Sequence, residues 1–183
     1  EQSGIRRLAF VTGPGKTAIE NHFDIDSELI MSLRENGQEP LLETLEYERM
    51  RVEYIYTRQR RQLGLGHAIL SARPVVVEQP FVVALGDSII GIHATSRVVR
   101  QMIDLFEEQR ADAVIAFEEV PRHEVSQYGI ATVGETMESH FTLADIVEKP
   151  EVEEAPSQLA VAARYVFRAE IFDYLEHTAT GKG

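Results

Sequence analysis

Cysteine is missing from all 183 residues. Disulfide staples and thiolate metal centres are therefore excluded, and the composition suits the reducing cytoplasm. Also missing is any apolar run near the roughly 20 residues needed to cross a bilayer, and Glu1-Gln2-Ser3 shows no basic-then-apolar leader pattern. The expectation is a soluble cytoplasmic protein with no membrane partner. Positive charge is scarce: 18 Lys and Arg stand against 30 Asp and Glu, a net charge of -12 at pH 7. Binding to a phosphate backbone needs basic residues gathered on one face, and here they are scattered among acids, which argues against a nucleic-acid partner. A small phosphate ligand stays open, because a carboxylate-held Mg²⁺ and one or two lysines can supply the positive charge locally. A complete Walker loop is lacking too. Gly15-Lys16-Thr17 follows an apolar run, but the glycine required five positions earlier is Phe10. The triplet reads as a tight turn with a solvated lysine.

What is present is enough for one buried core: 44% of the residues are hydrophobic, and the length fits a single domain over 1–183. Ile5 to Val11 reads as a strand, closed by Thr12-Gly13-Pro14-Gly15, and Thr17 to Phe23 as a helix. Asp26-Ser27 is a cap signal for a helix through Leu33 that Gly37 stops, and Pro40 to Tyr47 has helical spacing. Val52 to Tyr56 alternates like a strand. His67 to Ala72 reads as a helix stopped before Pro74, and Phe81 to Leu85 as a strand buried on both faces. An amphipathic helix over Ser96 to Arg110 and a buried strand over Ala113 to Phe117 follow. This alternation implies a parallel sheet with crossover helices. From Gly129 the grain changes: Ile130 to Val133, Phe141 to Val147 and Leu159 to Phe167 are strands with few helices between, before a closing helix over Ala169 to Leu175 and a tail from Thr178 to Gly183. The predicted class is α/β, a Rossmann-like mixed sheet, mostly parallel with an antiparallel edge, flanked by helices.

Several residues in this frame can carry chemistry. Leu63-Gly64-Leu65-Gly66-His67-Ala68 is a small-residue turn opening a helix, with Gln59 just before it and the strand ending Leu85-Gly86-Asp87 after it. A turn of this kind followed by a strand delivering a carboxylate is how α/β proteins build nucleotide sites. Gly64 and Gly66 can admit a nucleobase to the backbone or simply let the chain enter a helix. Asp87 can hold Mg²⁺ against a triphosphate or cap a turn with Ser88. His67 is assigned no chemistry. Glu148-Lys149-Pro150 ends an apolar strand and leaves a carboxylate and an ammonium at its rim, a pair that can meet sugar hydroxyls and a sugar phosphate or merely be solvated. Tyr128-Gly129 is either a close approach to a ligand or an ordinary strand start.

The order and wording of these pieces resemble the bacterial UTP-glucose-1-phosphate uridylyltransferases, within the sugar nucleotidyltransferases. The resemblance rests on Val11-Thr12-Gly13 with Lys16, Ile19-Glu20-Asn21-His22-Phe23-Asp24, Arg58-Gln59 with Gly64-Leu65-Gly66-His67-Ala68, and Leu85-Gly86-Asp87. It continues through Tyr128-Gly129, Val147-Glu148-Lys149-Pro150, Ala155-Pro156-Ser157-Gln158-Leu159-Ala160 and Arg164-Tyr165-Val166-Phe167. It implies the nucleotide-diphospho-sugar transferase fold and a Mg²⁺-dependent reaction of UTP with glucose 1-phosphate that yields UDP-glucose and pyrophosphate. By resemblance Gln59 and Gly64 contact the uracil, Asp87 binds metal, Gly129 and Glu148 contact the sugar, and Lys149 meets the sugar phosphate; Asp87 and Lys149 are thereby the catalytic pair. The resemblance leaves room for a homo-oligomer.

The chain also departs from the family pattern. The Gly-rich, Arg-containing loop that opens the family and its later second metal aspartate are not in the sequence, so the chain reads as a domain lacking its first βα unit and its C-terminal end, the central portion of a full-length enzyme. Gln158 stands where asparagine is usual, and Ala163 where glycine is common. The competing readings are a non-catalytic sugar-nucleotide-binding or regulatory module, and a related transferase using another nucleotide or sugar.

Overall fold

The structure is a computed structural model that describes residues 3–42, 51–88 and 96–178. It divides into two compact units, one formed by residues 1–79 with 169–183, the other by residues 80–168. No helix among the described residues is long and apolar enough to cross a membrane.

In the first unit, β1 (Arg7–Thr12) and β2 (Glu53–Arg58) pair in parallel, Arg7 opposite Glu53 through Thr12 opposite Arg58. The ladder runs one step further, from the Gln59 N–H to the Thr12 carbonyl at 2.9 Å. Between them come α1 (Thr17–Phe23), α2 (Ser27–Glu35) and α3 (Glu39–Leu42). α1 has the predicted bounds, and Phe23 from it stacks on Phe10 of β1 with ring centroids 4.7 Å apart. The cap of α2 also forms: the Asp26 carboxylate accepts from the Leu29 N–H at 2.9 Å, occupying a donor the first turn would leave unpaired. Of the helix expected over Pro40 to Tyr47, residues 43–50 lie outside the described residues, as do 179–183 of the expected tail. After β2 come α4 (Leu65–Leu70) and α5 (Arg73–Val76). Pro74 does not simply end a helix; it sits in the first turn of α5, where a missing N–H costs nothing. α7 (Ile171–His177) closes the unit, with Phe172 buried in it and Arg73 paired to Asp173 and Glu176.

The second unit is a five-stranded sheet. Its elements are β3 (Phe81–Ala84), α6 (Val98–Gln109), β4 (Ala113–Glu119), a 3₁₀ turn (Arg122–Gln127), β5 (Gly129–Thr136), β6 (Phe141–Glu148) and β7 (Leu159–Phe167). The mixed α/β class stands, but antiparallel pairing is not confined to an edge. β7 is central: β4 runs along one side of it, while β3 and β5 share the other, all antiparallel to it. β3 and β4 do run in the same direction, as the crossover through α6 requires. They simply bond to β7, inserted between them, rather than to each other; order along the chain does not set order in the sheet. β3 is half-buried rather than buried on both faces, and Val82 is its contribution to the core that Met102 and Phe106 of α6 form with Val166. A second core gathers Val120, Val125, Ile130, Ala155 and Ala160. The Ala155-Pro156-Ser157-Gln158 block closes it. Ser157 Oγ donates to the Ala131 carbonyl at 2.7 Å, and Gln158 Nε2 to the Val120 carbonyl at 3.3 Å.

Candidate functional site

The candidate residues fall in two groups, one in each unit. Gln59 and Gly64 belong to the first. Gln59 leaves the end of β2 with its N–H fixed on Thr12, and its side-chain Nε2 lies 3.2 Å from the Gly64 carbonyl and 2.9 Å from Nδ1 of His67. Gly64 sits at the N-cap of α4 with φ +87 and ψ 176, a backbone region that is essentially glycine-only. That conformation aims its carbonyl at both the Ala68 N–H, 3.2 Å away, and the Gln59 amide. The glycine is therefore needed for the turn itself, whatever it does for a ligand.

Asp87, Gly129, Glu148 and Lys149 belong to the second unit. β3 pairs with residues 164–167 of β7, whereas β5 meets β7 at Ala160. Both strands run against β7, so the end of β3 and the start of β5 come to the same stretch of one β7 edge. At that stretch β7 breaks its regular ladder. The register with β4 slips between Ile115 and Phe117, and Ala163 has φ +53. One step on from the Ala84–Arg164 pair, the Ala163 carbonyl accepts the Leu85 N–H at 3.2 Å, which seats the turn carrying Asp87.

Arg164 secures that turn from the other side. Its guanidinium donates to the Leu85 carbonyl at 3.2 Å, to the Ala163 carbonyl at 2.9 Å and to the Ser88 carbonyl, so it holds the residues on both sides of the Gly86-Asp87 pair. Asp87 itself is exposed. Among the described residues its carboxylate makes no cap bond to the turn, and no three His, Asp or Glu residues are grouped to hold a metal ion. A lone hard-oxygen donor still fits Mg²⁺, which takes one or two protein carboxylates and completes its shell with water and phosphate oxygens.

At the start of β5, Gly129 lies opposite Glu148 in register, and the Lys149 N–H donates to the Tyr128 carbonyl at 2.9 Å. A Cβ on Gly129 would stand 3.1 Å from Glu148 Oε2 and 3.1 Å from Ile146 Cγ2. The bare backbone thus leaves room for the carboxylate to lie over the strand. Lys149 has φ +47 and precedes the buried Pro150, although the residue before proline is ordinarily extended. Glu148 and Lys149 are both exposed. Tyr165, next to Arg164 on β7, faces this corner: burial pushes its phenol above the ordinary value, and the Glu148 charge adds to the shift.

The structure therefore groups Gln59 with Gly64, and Gly129 with Glu148 and Lys149, and it sets the Asp87 turn on the β7 edge that β5 also reaches. Two residues that hold the candidate groups in place carry no role in the sequence reading. His67 was given no role, although it lies inside the Gly-Leu-Gly-His-Ala turn. Arg164 stands in the sequence within the strand Leu159 to Phe167 and the Arg164-Tyr165-Val166-Phe167 piece of the resemblance, with no role attached; its signal is a lone arginine in an otherwise apolar strand.

Comparison with known proteins follows the same lines. The family model for the nucleotidyl transferases matches residues 17–182. The UTP-glucose-1-phosphate uridylyltransferase 1 of Staphylococcus saprophyticus is 40% identical over 181 residues, covering 99% of this chain and 62% of that protein. A UTP-bound UGPase from Acinetobacter baumannii superposes with a TM-score of 0.87 at 38% identity, over 97% of this chain and 63% of the other. A UDP-glucose pyrophosphorylase complexed with UDP-glucose gives a TM-score of 0.82 at 34% identity, over 100% of this chain and 66% of the other. The chain thus spans less than two thirds of the relatives it matches. With the model match running over most of its length, this chain belongs to the nucleotidyl transferase family.

Proposed function

We propose that the protein transfers a uridylyl group from UTP to glucose 1-phosphate, giving UDP-glucose and pyrophosphate. The observation that carries this reading is the corner of the second unit, where Glu148 and Lys149 stand exposed beside a glycine whose missing side chain keeps the strand accessible. The names of the 40% identical relatives and the UTP and UDP-glucose complexes of similar structures support it.

In this reading a phosphate oxygen of glucose 1-phosphate forms a bond to the α-phosphorus of UTP as the bond to the bridging oxygen breaks, and pyrophosphate leaves. Such a step needs placed phosphates and neutralised charge more than it needs acid-base groups. Lys149 binds the sugar phosphate as a point charge, Glu148 accepts hydroxyl hydrogen bonds from the sugar, and Gly129 lets the sugar lie against the strand. Gln59 and the Gly64 backbone contact the uracil. Asp87 would hold Mg²⁺, which when bound neutralises charge on the triphosphate and the leaving pyrophosphate. We assign residues 1–183 to a single nucleotidyltransferase domain of a cytoplasmic protein, in keeping with the cysteine-free composition, with no nucleic-acid or membrane partner and with self-association open.

The test is a pyrophosphate-release assay on the full-length protein across pairs of nucleoside triphosphate and sugar phosphate. UTP with glucose 1-phosphate should be the preferred pair, and Asp87→Ala should lower turnover by at least 100-fold. Preference for another pair would move the reading to a related transferase. Absence of turnover with every pair, alongside binding of UDP-glucose, would make the protein a non-catalytic sugar-nucleotide module.

A further inference from the structure

The Gln59 amide is held in one orientation, and the residue that completes the hold is His67. Nε2 of Gln59 lies 3.2 Å from the Gly64 carbonyl. A carbonyl only accepts, so the amide atom facing it must be the nitrogen. The same nitrogen lies 2.9 Å from Nδ1 of His67. With one hydrogen directed at Gly64, the other goes to Nδ1, which must then be the bare, accepting nitrogen of a neutral imidazole with its proton on Nε2. Both amide hydrogens are spent. What remains is Oε1, a pure acceptor. Rotating the amide by half a turn would set Oε1 against the Gly64 carbonyl, a repulsion nothing relieves, and against the His67 lone pair unless the imidazole moved its proton to Nδ1.

We propose that His67 sets the base preference of the nucleotide site by locking Gln59 with only its amide oxygen free, so that the site accepts a base with an N–H at position 3. The inference rests on the uridine-nucleotide reading given above. Uracil carries that imide N–H between two carbonyls, whereas cytosine has a bare nitrogen there. Opposite Oε1 the cytosine nitrogen would meet a second acceptor, and an unpaired polar contact of this kind is what separates bases in a protein site. Thymine has the same imide N–H, so this lock does not distinguish UTP from dTTP. His67 is a positioning residue: it acts on the base through Gln59.

The experiment compares kcat/KM for UTP and CTP in the full-length protein and two variants. His67→Leu removes one of the two acceptors and leaves the Gly64 carbonyl alone to hold the amide, so that the turned-over amide gains population. His67→Asn keeps one, since the asparagine oxygen falls near the place of Nδ1. In His67→Leu the UTP-to-CTP preference should fall about 5- to 10-fold, the worth of roughly one hydrogen bond, with KM for UTP rising more than kcat falls. His67→Asn should restore most of the preference. A ratio unchanged within twofold in His67→Leu, or the same loss in both variants, would overturn the lock. One measurement needs no variant: the ring ¹⁵N signals of His67 in the unmodified protein should show the Nε2–H tautomer, and a proton on Nδ1 would overturn the inference even if His67→Leu failed to fold. If the unmodified protein uses neither UTP nor CTP, the failure belongs to the uridylyltransferase reading, and the ring signals still decide the lock itself.

Discussion

Ala163 and Lys149 both hold positive φ values, +53 and +47, at the two places where the second unit presents its candidate groups. A non-glycine residue in the left-handed region carries a cost of about 1–2 kcal/mol from its Cβ. Ala163 is half-buried and carries only a methyl group in a conformation that glycine adopts without strain. Ala163→Gly should therefore stabilise the fold by up to about 1 kcal/mol, the relief of strain less the entropy glycine brings to the unfolded chain; the midpoint of urea unfolding checks it, and a lower midpoint would show that the methyl group packs usefully. Lys149 is different, because the strained backbone carries an exposed ammonium beside Glu148, and strain that persists beside charged groups is itself a pointer to function. Lys149→Ala should raise KM for glucose 1-phosphate about 10- to 100-fold, the range for a lost charge-assisted hydrogen bond, with KM for UTP nearly unchanged. A defect confined to UTP would contradict the assignment. Sequence alone showed Ala163 only as an alanine where related proteins carry glycine. Its φ was not legible, since a strand pattern of alternating small residues gives no sign of where a ladder will break.

At the scale of elements, the local pieces and the parallel pairing of β1 with β2 were legible, and the pairing within the second unit was not. α1 and the capped start of α2 follow from short-range rules, namely apolar spacing and an aspartate one turn ahead of a free N–H. β7 came last of the strands in the chain and reads from sequence as an edge, yet it lies between β3 and β4. Nothing in residues 159–167 says which strands they will bond, because pairing partners are set by packing of distant segments. The same limit hid the clamp on the Leu85–Ser88 turn. Arg164 grips it with two donor contacts, to the Leu85 and Ser88 carbonyls, and a third to the Ala163 carbonyl of β7, and a planar fork can span acceptors that a single ammonium cannot. Arg164→Lys should therefore loosen the turn while keeping the charge. The expected outcome in the full-length protein is a rise of about tenfold in the Mn²⁺ concentration that half-saturates the protein, followed by the paramagnetic broadening of bound metal, with kcat at saturating metal reduced less. Metal binding unchanged by Arg164→Lys would mean that the turn keeps its shape without the clamp, and that Asp87 owes its position to the Leu85 bond alone.

Over the whole molecule, buried apolar side chains are unevenly shared. Met102, Phe106, Val125, Ile130, Ala160 and Val166 lie in the second unit, while Ile69, Ala72 and Phe172 represent the first among the described residues. In the first unit Leu8, Ile19, Ile25, Leu29 and Met31 are exposed, and its two strands form a parallel pair, the weaker kind of ladder. Local opening follows local burial. Amide hydrogen exchange on this chain should accordingly show β4, β5 and β7 protected well beyond β1 and β2. The proposed division of labour adds a second, sharper expectation for the full-length protein, because each substrate should mark a different segment. UTP with Mg²⁺ should slow exchange across residues 59–70, where Gln59, Gly64 and His67 are joined by hydrogen bonds, since a ligand that binds the closed form lowers the population of the open one. Glucose 1-phosphate should slow exchange at residues 128–133 and 146–149, where the start of β5 pairs with the end of β6. If UTP protected only the second group of residues, the base contact would have to be moved off Gln59 and Gly64. The Gly-Leu-Gly-His-Ala turn would then be a helix start whose hydrogen bonds serve the fold alone.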